Sequence, residues 1–126
     1  MTIYLIDDDS LGNYLTETLL RLENVGGEIC TYESAEEALH ALLRRPEPPR
    51  LIFLDLNMPV MSGWDFLDAL EPHQPRLLGR CRIYILTSSL ALADMERARS
   101  YELVSGLIHK PLDREEIRAI QAELSI

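Results

Sequence analysis

Five short apolar runs, each followed by a stretch of helical periodicity, constrain the fold of this 126-residue chain more than any other feature. The runs are Ile3 to Ile6, Glu28 to Tyr32, Leu51 to Leu54, Cys81 to Leu86 and Gly106 to His109. Such an alternation winds into a parallel sheet with helices on both faces, a doubly wound (βα)5 α/β domain. The third run is apolar at every position, as a strand covered on both faces must be, so it is expected at the centre of the sheet. A chain of this length has room for one core, so residues 1–126 are expected to form a single domain.

The helical stretches carry start and stop signals. The first is expected from about Ser10 to Asn24, with Leu11, Tyr14, Leu15, Leu19 and Leu22 on one apolar stripe and Gly26-Gly27 ending it. The second opens with Ser34 three residues before Glu37, a capping box, and turns Ala38, Leu39, Leu42 and Leu43 toward the sheet. Pro46, Pro48 and Pro49 then forbid its continuation. The third follows Ser62-Gly63, carries Trp64, Phe66, Leu67 and Leu70, and stops before Pro72. The fourth, from about Ser89 to Ser100, has only a thin stripe of Leu90, Ala91, Leu92, Ala93 and Ala98, and should be the least firmly packed. The fifth begins at Asp113, pairs it with Glu116, and buries Ile117, Ile120 and Leu124. Between the third helix and the fourth strand, Glu71 to Arg80 reads as an ordered surface loop.

Composition narrows the function classes. With 21 acidic residues against 12 basic ones the formal charge is −9, which opposes the phosphate attraction that nucleic-acid binding needs. No apolar stretch approaches the roughly 20 residues that cross a bilayer, and no basic leader precedes Thr2, so a cytoplasmic location with no membrane contact is expected. Cys30 and Cys81 lie in apolar segments without metal-ligand spacing and read as reduced, buried thiols. Among the cations, Lys110 is the one lysine in a chain of arginines, which marks it for a specific role.

In an open parallel sheet the carboxyl ends of the strands share one edge, where ligands bind. Here the first strand ends in Asp7-Asp8-Asp9, the third in Asp55 with Asn57 just beyond, the fourth in Thr87-Ser88-Ser89 and the fifth in Lys110-Pro111. Any one of these has an ordinary explanation, since an Asp before a helix caps backbone N–H groups. Four strands of five delivering a carboxylate, hydroxyl or ammonium to one edge is harder to assign to chance. Carboxylates about 4 Å apart repel by about 4 kcal/mol per pair at an effective dielectric near 20, so something positive belongs among them. Lys110 supplies one charge; the oxygen-rich set also suits a hard divalent cation such as Mg²⁺, and a structural salt-bridge cluster is the alternative. A carboxylate beside such an ion, with a Lys and a Thr free to donate, is what acyl phosphate formation requires, and Asp55 on the central strand is the candidate nucleophile.

Ile6-Asp7-Asp8, Asp55-Leu56-Asn57-Met58-Pro59 followed by Gly63, Thr87-Ser88 and Lys110-Pro111 together resemble the receiver domain of bacterial two-component response regulators, from about Ile3 to Leu124. The resemblance implies a flavodoxin-like sheet of strand order 2-1-3-4-5 and a stand-alone, single-domain receiver. It implies phosphoryl transfer from a phosphohistidine onto Asp55, with Mg²⁺ held by Asp7 or Asp8, Asp55 and the Asn57 carbonyl. Thr87 and Lys110 would contact the phosphoryl oxygens, Asn57 and Ser89 would tune hydrolysis, and the Lys110-Pro111 bond would be cis. The implied partners are a histidine kinase or phosphotransfer protein and an unidentified downstream protein, with no nucleic acid, and the chain is expected as a monomer or weak dimer. Such a chain catalyses its own phosphotransfer and dephosphorylation without turning over external substrates. Relatives often carry Tyr or Phe three residues before the Lys; here Leu107 stands there, so output is expected to run through Thr87 and the fourth helix. Tyr101, His109 and Arg114 on the usual docking face read as solvated side chains.

Three other functions share parts of this pattern. A haloacid-dehalogenase-like phosphatase needs an acid two residues after the nucleophile, where this chain has Asn57, which cannot protonate a leaving group. A flavin mononucleotide carrier needs hydroxyl and N–H donors in the first loop, where Asp7-Asp8-Asp9 would repel the phosphate. A receiver-like interaction module that is not phosphorylated is the remaining alternative.

Overall fold

The computed structural model describes residues 1–124, and within them the alternation in the sequence becomes a five-stranded parallel sheet of order β2-β1-β3-β4-β5. The strands are β1 (Thr2–Ile6), β2 (Glu28–Tyr32), β3 (Leu51–Asp55), β4 (Arg82–Thr87) and β5 (Val104–His109). The main helices are α1 (Ser10–Leu22), α2 (Ala35–Arg44), α3 (Gly63–Leu70), α4 (Leu92–Arg99) and α5 (Arg114–Leu124). Every residue of β3 is buried, as expected of a central strand with helices on both faces.

Side chains alternate across the sheet and divide the core in two. Tyr4, Ile6, Ile52, Leu54, Ile83 and Ile85 pack with Ala38 and Leu42 of α2 and Phe66 and Leu67 of α3. Ile3, Leu5, Leu51, Phe53 and Leu86 pack on the other face with Leu20 of α1 and Ile117, Ile120 and Leu124 of α5. Burying each such aliphatic side chain stabilises the fold by roughly 1.5–3 kcal/mol, so truncating Leu54 to Ala is expected to cost about 2–5 kcal/mol. The caps foreseen for α2 and α5 are present: Ser34 Oγ accepts from Glu37 N at 3.0 Å, and Asp113 and Glu116 exchange side-chain-to-backbone bonds at 2.8 and 3.1 Å.

Four features depart from the sequence reading. In α1 most of the expected stripe faces outward: Leu11, Tyr14, Leu15 and Leu22 are 57–67% exposed and only Leu19 packs partly against the core, whereas Asn13 and Leu20 are buried. The cause is polar, because Asn13 Nδ2 donates to the Asp7 and Tyr32 carbonyl oxygens, each at 3.1 Å, and this fixes which face of α1 meets the sheet. The same helix stops at Leu22, before Gly26-Gly27, because Asn24 adopts a left-handed conformation at φ 58°. The segment after α3 is a 3₁₀ turn, Glu71–His73, followed by one α-helical turn, Gln74–Leu77; Pro72 and Pro75 sit in the first turn of each, where a missing N–H costs nothing. Finally α4 begins only at Leu92, with Ala91 at its N-cap and no side chain capping it.

Cys81 is buried, with its thiol pushed up to about 12 by burial, and Cys30 is half-buried and also unpaired. No helix among the described residues is long and apolar enough to cross a membrane.

Candidate functional site

The carboxyl-end edge gathers the polar residues that the strand ends deliver. Asp7 follows β1 directly and is buried, Asp55 closes β3 and is buried, Thr87 closes β4 and is buried, and Lys110 follows β5. Asp8 is exposed beside them, and one carboxylate oxygen from each of Asp7, Asp8 and Asp55 lies within 4.8 Å of the others. The Lys110 ammonium enters from the opposite strand, 2.9 Å from Asp7 Oδ2 and 3.3 Å from Asp55 Oδ1. Lys110-Pro111 is cis. Asn57 lies on the loop after β3 with an exposed side chain. Thr87 does not yet face the carboxylates as a free donor, since its hydroxyl donates to the Ser89 carbonyl at 3.0 Å and accepts from Ser89 N at 3.2 Å.

Asp9 resolves into the capping role: it is the N-cap of α1, and its Oδ1 accepts from Leu11 N at 3.0 Å. Its backbone N–H donates to Asp7 Oδ1 at 3.0 Å, so the loop itself helps hold the Asp7 carboxylate. Two glycines let other elements close on the acids. A Cβ at Gly63 would sit 2.5 Å from the Asp55 carbonyl oxygen and 2.9 Å from Leu56 Cα, and one at Gly12 would sit 2.8 Å from Asp7 Oδ2. Gly12 and Asn13 were not picked out from the sequence; the available signal was a small and a polar residue placed between apolar neighbours at the start of an otherwise ordinary helix.

Charge at this edge is unbalanced. Burial, followed by the negative charge of Asp7, raises the Asp55 carboxyl to about 6, with Lys110 pulling in the opposite direction. Burial works against the Lys110 ammonium as well, but its hydrogen bond to Asp7 and the charges of Asp55 and Asp7 prevail, so its pKa is raised and it stays charged. Three carboxylates thus stand together with one ammonium, which pairs with Asp7 and Asp55. An all-oxygen, charge-deficient donor set of this kind fits a hard divalent cation, and Asp7, Asp8 and Asp55 are the residues able to hold it.

Two residues considered for the neighbouring face are not free side chains. Tyr101 is buried and donates to Asp68 Oδ1 at 2.6 Å, while Arg114 donates to Glu23 at 2.5 Å; His109 is exposed as expected.

A parallel sheet of this order, with acids at the ends of β1 and β3, a hydroxyl after β4 and an ammonium after β5, defines a flavodoxin-like α/β domain with its site at the strand ends. The chain belongs to the response regulator receiver domain family, whose model matches residues 3–122. It is similar to a two-component response regulator from Cytophaga hutchinsonii, at 28% identity and a TM-score of 0.89, covering 98% of this chain and 96% of that one. A response regulator receiver protein from Dyadobacter fermentans has the same fold, at 24% identity, TM-score 0.86, and 98% and 96% coverage. The sensor histidine kinase GacS of Pseudomonas protegens is 24% identical over 115 residues, which is 91% of this chain and 12% of that protein, so the chain spans about an eighth of that relative. Receiver domains are signalling modules of two-component systems and not turnover enzymes; they work with histidine kinases or phosphotransfer proteins and typically bind Mg²⁺ at an acidic pocket.

Proposed function

We propose that this chain is a response regulator receiver domain that accepts a phosphoryl group from a phosphohistidine onto Asp55 and signals, or relays the group, through protein contacts. The observation that carries the reading is the position of Asp55 on the buried central strand, in a three-carboxylate cluster and 3.3 Å from the Lys110 ammonium. In the transfer, an Asp55 Oδ bonds to phosphorus as the P–N bond to the donor imidazole breaks, and the electron pair of that bond returns to the ring nitrogen. Lys110, shared between Asp7 and Asp55 beforehand, holds a phosphoryl oxygen afterwards. Thr87 gives up the Ser89 carbonyl and donates to another. Asp7, Asp8 and Asp55, with the Asn57 carbonyl, are the residues that would hold Mg²⁺, whose chemistry there is charge neutralisation at the phosphoryl oxygens.

The outward stripe of α1 supports a protein donor. Leu15 lines a cleft with Asp7, Gly12, Lys110 and Pro111, so the exposed Leu11, Tyr14, Leu15 and Leu22 continue directly from the acidic site. A partner that sets a histidine on Asp55 must cover adjoining surface, and an apolar helix face is what its own helices can bury. Output follows from the other side of the site. Thr87 is bonded to Ser89, three residues before α4, and α4 buries only Ala98, so moving the Thr87 hydroxyl disturbs the least anchored helix without an aromatic at position 107. We further propose a cytoplasmic protein, monomeric or weakly dimeric.

The test is incubation with acetyl phosphate and Mg²⁺, read by intact mass. Wild type should gain one phosphoryl group and Asp55→Asn none, with unchanged circular dichroism. An unlabelled wild type would leave the interaction module as the better reading. Phosphotransfer profiling against the histidine kinases of the source organism would then identify the donor.

A further inference from the structure

At the opposite end of the sheet, where the strands begin, lies a cavity of ≈ 800 Å³ that shares no residue with the acidic site. Arg45, Arg50, Arg80 and Arg82 converge on it, opposed by two carboxylates, Glu47 and Glu123. They come from four segments: the C-cap of α2, the residue before β3, the loop before β4 and the first residue of β4. In a chain of formal charge −9, this puts a local excess of positive charge in a concave, mainly polar surface. Its volume is within the range of small-molecule sites.

Three of the four guanidinium groups are held in place before any ligand arrives. Arg45 donates from Nη2 to Thr2 Oγ1 at 2.8 Å and from Nε to the Glu47 carbonyl at 3.1 Å, pairs through Nη1 with Glu28 Oε1 at 3.6 Å, a third carboxylate beside the arginines, and lies 5.8 Å from the Tyr4 ring centroid. Arg50 is held by the Leu124 carbonyl at 2.7 Å. Arg82 is tied to Glu123 at 3.1 Å, an exposed pair of the kind worth little in water and easily exchanged. Arg80 is exposed, with no side-chain partner among the described residues. An arginine offers five N–H donors, so these bonds leave most of the donor capacity unspent, in side chains whose fork geometry matches phosphate.

We propose that this cavity is a binding site for a compact oligophosphate, either inorganic triphosphate or the phosphate chain of a nucleotide. Several guanidiniums set around one hollow suit a small ligand carrying several anionic groups, and the chain's overall charge disfavours a long polyanion such as nucleic acid. No aromatic side chain lines the cavity to stack on a base, so the phosphates carry the affinity and the nucleoside adds little.

The experiment is isothermal titration of the full chain without divalent metal, using inorganic triphosphate, ATP, AMP and citrate as probes. Triphosphate and ATP should bind about equally, with AMP and citrate at least about tenfold weaker, and affinity should fall as salt rises. ATP binding while triphosphate does not would replace the proposal with a base-reading site, and binding of neither would overturn it. Arg80→Gln should weaken triphosphate binding by about tenfold, the effect of one lost charge-assisted contact. Since Arg80 makes no side-chain bond among the described residues, that variant should fold as wild type. Arg50→Gln, checked by thermal melting, supplies a second reading.

Discussion

Removing the charge of Asp55 should make the metal-free protein more stable, and by an amount that depends on pH. Its carboxyl is raised from 3.8 to about 6 by burial and by Asp7. A carboxyl raised on folding is one the folded state prefers protonated. The penalty for ionising it is therefore absent below about pH 4, grows between about pH 4 and 6, and is fully present above that. The step from 3.8 to about 6 is worth about 3 kcal/mol, and the opposing pull of Lys110 is already contained in it. Asp55→Asn keeps the shape and an acceptor oxygen for Lys110 while removing the charge. At pH 8 in EDTA the variant should be more stable by up to about 3 kcal/mol. At roughly 3 °C per kcal/mol for a domain of this size, that is a Tm higher by about 8–10 °C. At pH 4 the two proteins should melt together. Paired urea and thermal melts at pH 4, 6 and 8 measure the difference directly, so other groups that titrate in both proteins cancel. A variant equally or less stable at pH 8, or a gain that does not change with pH, would refute the claim that the site stores unbalanced negative charge.

Other perturbations follow from single contacts. Val60 is 89% exposed and β-branched, yet sits at φ 68°, so Val60→Gly should stabilise the fold by about 1 kcal/mol in urea unfolding. Gly63→Ala would force a Cβ to within 2.5 Å of the Asp55 carbonyl oxygen, so it should cost about 2 kcal/mol or more and slow acetyl phosphate labelling. Gly12→Ala meets only the tip of the Asp7 carboxylate, so it should weaken Mg²⁺ binding, read by fluorescence or calorimetry, with a smaller loss of stability. Glu23 is held below the usual carboxylate range by hydrogen bonds from Arg118 and Arg114, which join the end of α1 to α5. Its contribution is present at neutral pH and declines as pH falls below the ordinary Glu range, so Glu23→Gln should lower the Tm at pH 7, and the difference from wild type should shrink as the pH is lowered.

What could be read in the sequence, and what could not, divides by the range of the interaction involved. β3 was legible because a strand buried on both faces needs an unbroken apolar run, and Leu51 to Leu54 supply one. The caps at Ser34 and Asp113 were legible because a cap is settled within three or four residues. The site was legible because parallel winding sends every strand end to one edge, so Asp7, Asp55, Thr87 and Lys110 could be grouped without knowing any distance. The face of α1 was not, because Asn13 decides it by bonding to Asp7 and Tyr32, and Tyr32 lies nineteen residues away. The same limit hid the closure of Tyr101 on Asp68, 33 residues apart. It also hid the four arginines at the opposite edge, which share no motif and meet only through the topology.

A destabilised carboxylate can persist at the strand ends because the core behind it contributes more than it costs. Leu51, Ile52, Phe53 and Leu54 of β3 are almost wholly buried, and the burial of each, roughly 1.5–3 kcal/mol before the entropy of ordering it is subtracted, anchors the strand. Against this, the ionised Asp55 costs about 3 kcal/mol. The balance leaves the strand folded with its terminal charge uncompensated, and the compensation has to come from outside the chain. A phosphoryl group alone would add negative charge, so the same imbalance that holds Asp55 near 6 calls for a cation first. The α1 stripe, continuous with that cleft through Leu15, then offers the surface on which a donor can seat. Charge and apolar exposure, each unfavourable to the isolated domain, meet at the one edge where both can be relieved by binding.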